Sequence, residues 1–298
     1  MITYIKRKDL EVEKYDACIE NSLQSRVYAF SWYLDIVAEN WDVLVLDDYK
    51  AVMPIPWNRK YGVSYITQPY FCQQLGVFSE VEIPQNFLND FILSIPSNFI
   101  KTNYQFNSHN NIGNRGVVKD NYVLSLDKEY KEIRVKYRKD RKYRINQVRK
   151  KNYSIVSPTA KEIIDISNKY YKFIDISNKE FKKIATLINV SLEKKIGFTL
   201  GVINNEGELL GSSFFIKTNT RIMYLFSAVT YEGKKHQVAS LILDTVIEKY
   251  ANEKYILDFE GSMISSISSF YKSFGANLEE YKLYEKSKIP FLFKLFKK

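Results

Sequence analysis

Apolar and polar positions along this chain fall into two similar series of short elements. In the first, Tyr28 to Asn40 carries apolar residues at helical spacing and predicts an amphipathic helix. Trp41 to Leu46 reads as a strand, Asp47-Asp48-Tyr49-Lys50 as a turn, and Ala51 to Trp57 as the returning strand. Val63 to Gln68 predicts a further strand, Pro84 to Leu93 a helix opened by proline, and Phe99 to Phe106 another strand. In the second series Lys179 to Lys195 is helical and Phe198 to Ile203 is a strand. Asn204-Asn205-Glu206-Gly207 then supplies hairpin turn chemistry, and Glu208 to Lys217 returns. Arg221 to Ala228 reads as a strand, Gln237 to Tyr250 as a helix and Tyr255 to Glu260 as the last strand.

The turns begin at 47 and 204, the following strands at 63 and 221, and the last strands at 99 and 255. The intervals are 157, 158 and 156 residues. The repeat is one of order, not of residue identity. Each series runs helix, hairpin, strand, helix, strand, which makes a mixed, mostly antiparallel sheet flanked by helices. An α/β (α+β) fold of two such domains follows, and 298 residues suit two cores of about 150 residues each. The boundary falls after Leu126, giving domains 1–126 and 127–298. The closing stretch 285–298, with its greasy and basic Ile289-Pro-Phe-Leu-Phe-Lys-Leu-Phe-Lys-Lys, fits a strand folded back on the body. It fits equally a segment lying on an anionic membrane surface.

Composition narrows the class. Hydrophobic residues at 45% and charged residues at 26% describe a globular protein, and no apolar run approaches the roughly 20 residues of a spanning helix. The N-terminus lacks the apolar core of a signal peptide. Cys18 and Cys72 form no disulfide framework, which points to a reducing cytoplasm. With only His109 and His236, neither near a cysteine, no metal site is expected. The net charge of +10 is concentrated: residues 128–151 hold 12 Lys/Arg against Glu129, Glu132 and Asp140. That points to an anionic partner meeting one face. Leu126-Asp127 offers an N-cap before a long Lys/Arg helix across this stretch.

The chemistry is sought between Tyr224 and Ala276, which reads strand, polar loop (Thr230 to Lys235), helix, strand and second helix. A loop entering a helix N-terminus presents unpaired N–H groups, which suit a phosphate. Gly233, Lys234, Lys235, His236, Gln237, Val238 and Ala239 stand there. This order, ending in Phe270-Tyr271-Lys272-Ser273-Phe274-Gly275-Ala276, resembles the second half of the GNAT (N-acetyltransferase-type) fold, which commonly ends in Phe-Tyr-x-x-x-Gly-Phe. The resemblance implies that Tyr271 is a general acid for a departing thiolate and that the loop holds a pyrophosphate. The family's loop pattern is Arg/Gln-x-x-Gly-x-Gly/Ala. Lys234-Lys235-His236-Gln237-Val238-Ala239 lacks the central glycine.

Three further stretches make the whole chain similar to the doubled GNAT-like acyl- and aminoacyltransferases of the Fem type, which attach amino acids to peptidoglycan precursors from aminoacyl-tRNA. They are the Arg-rich bridge from Tyr137 to Lys150, Asp258-Phe259-Glu260-Gly261-Ser262, and the strand Ala51-Val-Met-Pro-Ile-Pro-Trp57. The donor so implied is acyl-CoA or aminoacyl-tRNA, taken as substrate and not as a resident cofactor.

Each residue carries two readings. Glu260, at a strand end before Gly-Ser, is the choice of general base, and alternation puts Asp258 on the same face; either carboxylate could instead cap the next helix or pair with the bridge. Tyr271 is the acid or, with Phe270 and Phe274, a core stripe. His236 contacts phosphate or is an ordinary solvated residue. Arg141, Arg144 and Arg149 fork onto phosphates with Tyr137 and Tyr143 stacking on bases or sugars, or they line a solvated helix face. Trp57, Gln73 and Gln74 belong to an acceptor pocket or to packing.

The expected function is acyl or aminoacyl transfer to an amine, at the inner membrane surface if the acceptor is lipid-linked. A backbone N–H between Leu225 and Ala228 would steady the oxyanion. The rival is a non-catalytic GNAT-like scaffold that binds RNA or anionic lipid through residues 128–151.

Overall fold

Two hairpins seed the fold, each where a turn separates apolar runs. The computed structural model describes residues 1–170, 177–261 and 263–288. The chain divides into two compact units, Met1–Lys119 with the chain from Glu280 on, and Asp120–Glu279; the sequence places the division after Leu126.

The first unit opens with β1 (Ile2–Lys6), α1 (Val12–Asn21) and α2 (Ser31–Val37). The hairpin β2 (Asn40–Leu46) and β3 (Ala51–Lys60) follows, then β4 (Val63–Ile66), β5 (Phe78–Ser79), α3 (Gln85–Leu93) and β6 (Phe99–Phe106). Tyr28 to Asn40 is not one helix. Val27–Ala29 is a 3₁₀ turn, α2 stops at Val37, and Asn40 already pairs with Trp57 in the sheet. β3 holds Pro54 and Pro56 because β5 pairs only with Ala51 and Val52 and β4 only with Trp57 to Lys60. The prolines lie in the gap, where no second neighbour needs their missing N–H.

The second unit contains β7 (Gly116–Ser125), α4 (Tyr130–Val135), α5 (Lys139–Arg149), β8 (Ser154–Val156), α6 (Ala160–Tyr170) and α7 (Asn178–Glu193). The hairpin β9 (Gly197–Ile203) and β10 (Leu209–Lys217) comes next, then β11 (Arg221–Val229), α8 (Tyr231–Lys235), α9 (Val238–Tyr250), β12 (Ile256–Asp258) and α10 (Ser265–Lys272). The final strand is β13 (Asn277–Ser287). The basic stretch is two helices, not one long one. Buried Tyr137 packs on Phe274 at the corner, and Asp127 accepts from Ser125 instead of capping. The stretch after Thr230 is the short helix α8, Tyr231–Lys235, not a loop. Thr230 caps it, and Gly233 inside it packs so closely that an added Cβ would lie 2.1 Å from the Leu210 carbonyl oxygen.

The repeat in the sequence is the repeat of the sheets. In each unit a hairpin is followed by a strand, a helical crossover and a parallel strand: β4 beside β6 in the first, β11 beside β12 in the second. Each sheet is then extended by a strand from the far side of the other series. β7, which follows β6 in sequence, pairs antiparallel with β12; β13, which follows β12, pairs antiparallel with β6. The strand order is therefore β1-β2-β3-β4-β6-β13 for the first series and β7-β12-β11-β10-β9-β8 for the second. The second core lies between this sheet and α5 and α9. It joins Leu124, Ile222 and Leu257 of the strands, and Phe259 just past β12, to Ile145, Val148, Ile242 and Val246 of the helices. The tail Ile289–Lys298 lies outside the described residues.

Because each unit takes a strand from the other series, fragments 1–126 and 127–298 are each expected to be unfolded or aggregated when expressed alone. Far-UV circular dichroism and gel filtration check this; a folded monomeric 1–126 fragment would show β13 to be dispensable.

Candidate active site

The site begins where two parallel strands part. β11 and β12 are in register from Arg221 and Ile256 to Met223 and Asp258, and no further pairing follows. Just beyond, β11 bulges: Phe214 faces Phe226 and Phe215 faces Tyr224, so Leu225 is an extra residue on its strand. The carboxyl ends of β11 and β12 thus open a crevice, the usual place for a ligand on a sheet with a helical crossover.

A buried charge cluster closes the base of this crevice. Arg221 Nη1 lies 2.8 Å from Asp258 Oδ2, and its Nη2 meets Glu279 at 2.5 Å. Asn121 donates to Asp258 (3.0 Å) and to Glu279 (3.1 Å). Burial alone would lower the Arg221 pKa, but the two carboxylates outweigh it and raise it. Asp258 Oδ1 also accepts the Glu260 N–H at 3.0 Å. Both oxygens of Asp258 are therefore engaged, in a contact with Arg221 and not with the basic bridge.

Alternation does not carry through to Glu260. The strand stops at Asp258, and Glu260 and Gly261 both take left-handed backbone, with φ of 65° and 54°. A non-glycine residue held there is a strained position of the kind found at functional sites. It leaves the Glu260 side chain half-buried at the strand end. Ser262, the last residue of that motif, lies outside the described residues. Tyr271 is buried and stacks on Phe259 at 4.9 Å. Burial first, then the neighbouring Tyr224, Glu260 and Asp258, push its phenol well above the ordinary value, so it keeps its proton. Core residue and proton carrier are thus compatible roles for Tyr271.

Around the predicted donor loop the residues divide. The Gly233 N–H is taken by Thr230 Oγ1 at 2.9 Å, so this glycine serves packing and is not offered to a ligand. Lys235 lies 3.9 Å from Glu232, and Lys234 extends over the Tyr231 ring. His236 Nε2 meets Glu232 and its ring abuts Tyr153, so it is neither freely solvated nor turned to a phosphate.

Gln237 is the informative position. It stands where the family pattern has its central glycine, and its φ of 59° is left-handed, the conformation glycine favours. The backbone turn survives without the glycine. After it α9 begins, and the Val238 and Ala239 N–H groups have no acceptor among the described residues.

Above that helix start sits Arg141 of α5. It is buried, donating from Nε to Ser273 Oγ (2.8 Å) and from Nη1 to Gln237 Oε1 (3.0 Å) and Ser240 Oγ. Its guanidinium lies 4.5 Å from the Phe270 ring centroid. No carboxylate is within ion-pair distance among the described residues, and burial lowers its pKa to about 10. A buried cation at the positive end of a helix is doubly disfavoured without an anion. The structure thus joins Arg141, predicted to bind an anion, to Gln237 at the start of α9, predicted to hold the donor.

The other predicted anion ligands do not join them. Arg149 is held by buried Asp244 at 2.7 Å and by Glu248, tying α5 to α9. Tyr137 is buried in the core, whereas Arg144 and Tyr143 are exposed. Trp57, Gln73 and Gln74 belong to the first unit. The Trp57 indole donates to Asp42 (2.8 Å), Gln74 Nε2 to Gln73 Oε1 (2.8 Å), and Gln74 Oε1 takes the Ser108 N–H (3.0 Å). The sequence pattern does not single out Arg221, Tyr224 or Ser273. Arg221, a lone cation opening an apolar strand, carries a readable signal; Ser273 carries none. Among the described residues no His, Cys, Asp and Glu group could hold a metal ion, and no helix is long and apolar enough to cross a membrane.

Neither a protein-family model nor a curated relative matches the sequence. Solved structures do match. FemX superposes with a TM-score of 0.69 over 99% of both chains at 10% identity. A conserved protein of unknown function from Bacteroides thetaiotaomicron gives 0.63 over 96% of this chain and 100% of that one, at 12% identity. L-PGS from Bacillus licheniformis gives 0.58 over 95% and 94%, at 11% identity. The chain has the Fem-type, GNAT-like fold that its motifs resemble; at these identities the likeness is one of fold.

Two measurements test the geometry. Gln237→Gly and Gln237→Ala both lose the amide contact to Arg141, so their difference reports the backbone. Gly is expected to be the more stable by about 1 kcal/mol in urea unfolding; equal stabilities would contradict a left-handed Gln237. Arg221→Met leaves two carboxylates without their cation and is expected to cost about 3–5 kcal/mol in the same assay. A loss below about 1 kcal/mol would mean the cluster does not hold the strands.

Proposed function

We propose that this chain transfers an acyl or aminoacyl group from a phosphate-bearing donor to an amine. The observation that carries the reading is Arg141, buried without a carboxylate partner beside the free N–H groups at the start of α9. Two phosphate oxygens of acyl-CoA or of an aminoacyl-tRNA end would supply the missing negative charge and accept those donors. FemX and L-PGS share the fold and lend support to the transferase class.

In the crevice Glu260 takes a proton from the attacking amine, whose nitrogen bonds to the donor's carbonyl carbon. The bulge at Leu225 frees strand backbone to face the developing oxyanion. As the carbon–leaving-group bond breaks, Tyr271, kept protonated by burial, returns a proton to the departing thiolate or ribose oxygen. Among the described residues no nucleophile–histidine pair is assembled there, which favours direct transfer over a covalent enzyme intermediate.

The rival scaffold reading draws on the exposed Lys139, Tyr143 and Arg144 of α5. It is weakened by the burial of Arg141 and by the ion pairs that hold Arg149 to Asp244 and Glu248.

Calorimetric titration with acetyl-coenzyme A and then with a charged-tRNA analogue identifies the donor. Arg141→Met is expected to weaken binding of that donor at least about tenfold. Its unfolding free energy should hold or rise, because a buried charge without a counter-ion is removed. Glu260→Gln should bind donor normally and lose turnover by about 10²–10⁴-fold. Binding of neither donor would sink the reading. Binding of nucleic acid that collapses between low and moderate salt, without turnover, would favour the scaffold.

A further inference from the structure

The charge cluster at the base of the crevice contains one polar atom that its own hydrogen bonds do not use. Asn121, on β7, is shut off from solvent. Its Nδ2 donates to Asp258 Oδ1 at 3.0 Å and to Glu279 Oε2 at 3.1 Å. Ionised carboxylates only accept, so the amide nitrogen has to face them and the carboxamide cannot be turned round. That leaves Asn121 Oδ1 a buried acceptor to which no described residue donates. Native folds rarely leave such a group without a partner.

Its position says what the partner is. The Glu260 N–H reaches the same Asp258 Oδ1 at 3.0 Å, so the Asn121 carboxamide and the Glu260 turn meet across a single atom. The strands agree. Val123 pairs with Asp258, and the Phe259 N–H donates to the Tyr122 carbonyl at 3.0 Å, which brings Asn121 level with Glu260. The cluster itself sets two carboxylates, Asp258 and Glu279, against the one guanidinium of Arg221. Such a balance draws an ammonium in preference to an anion or a hydroxyl.

We infer that Asn121 holds the acceptor through Oδ1, and that the acceptor is a primary amine; this rests on the transfer reading given above. The amine arrives as an ammonium and gives its extra proton to solvent. Of the two hydrogens left on nitrogen, one passes to Glu260 as the nitrogen–carbon bond forms. The other donates to Asn121 Oδ1 and stays on nitrogen as the N–H of the product amide. The proton that Glu260 gains balances the one that Tyr271 gives to the leaving group. A secondary amine or an alcohol brings a single hydrogen. Glu260 takes it, and Asn121 Oδ1 gains no partner.

Two measurements test this. On the parent chain without donor, the Asn121 side-chain amide resonances are followed by NMR as propylammonium or tetramethylammonium chloride is added. Propylammonium should shift them saturably; tetramethylammonium, which has no N–H, should not. With the donor that calorimetry identifies, propylamine and N-methylpropylamine are then compared as acceptors. Asn121→Ser should raise KM for propylamine about tenfold and leave donor affinity unchanged. It should also cut the preference for propylamine over the secondary amine by a similar factor. Loss of a purely structural support would slow both amines alike and leave that preference intact. The inference is overturned if propylammonium does not move the Asn121 resonances, if both cations move them alike, or if the preference survives in Asn121→Ser. Transfer to amines with unmoved Asn121 resonances removes this inference and spares the transferase reading. Shifted resonances without transfer from any donor keep the amine site and remove that reading instead.

Discussion

A guanidinium shut away from water at the foot of a crevice sets the terms for the second unit. Arg221 can remain charged there only because Asp258 and Glu279 face it, with Asn121 linking the two carboxylates. Those four residues come from β11, β12, β13 and β7, so one desolvated cluster ties four strand segments at one level. Above it β11 and β12 are free to part. Asp258 also takes the Glu260 N–H, which helps hold the left-handed turn after the strand. Removing one partner from such a cluster leaves an uncompensated buried charge, and that asymmetry makes it a clamp.

Three arginines in this unit show how environment divides one residue type among different tasks. Arg221 and Arg149 are answered by carboxylates within the unit. Arg141 is answered only by hydroxyls, an amide oxygen and the faces of Phe270 and Phe274. Neutral acceptors satisfy its hydrogen bonds but not its charge. The electrostatic balance of the unit is therefore left open at the start of α9, where a ligand's phosphate can close it.

Much of this was legible in the chain. Turn chemistry and alternation located both hairpins and the crossover helices within a few residues, because local preference and burial agree there. Sequence pattern failed where tertiary contacts override it. The corner at Tyr137 exists because the ring finds the core beside Phe274, and the early end of α2 comes from Asn40 joining the sheet. Strands β1, β5, β7 and β8, most of β13, and helices α1 and α6 carry too little pattern to be read. At the candidate site the left-handed Gln237 was hidden because its residue type argues against its conformation. Charge counting overstated the basic stretch, since Arg141 is buried and Arg149 is neutralised by Asp244 and Glu248, and only the fold shows which.

The strand exchange also has a consequence in time. β6 is complete once residue 106 is made, yet its neighbour β13 ends about 180 residues later. At roughly 5–20 residues per second, a nascent first sheet waits on the order of 10–35 s with that flank bare. An unpaired strand edge is the feature most prone to wrong partners. The ribosome-bound chain must therefore be shielded through most of its own synthesis, so how much of it reaches the folded state depends on chaperone supply as well as on the stability of the finished protein.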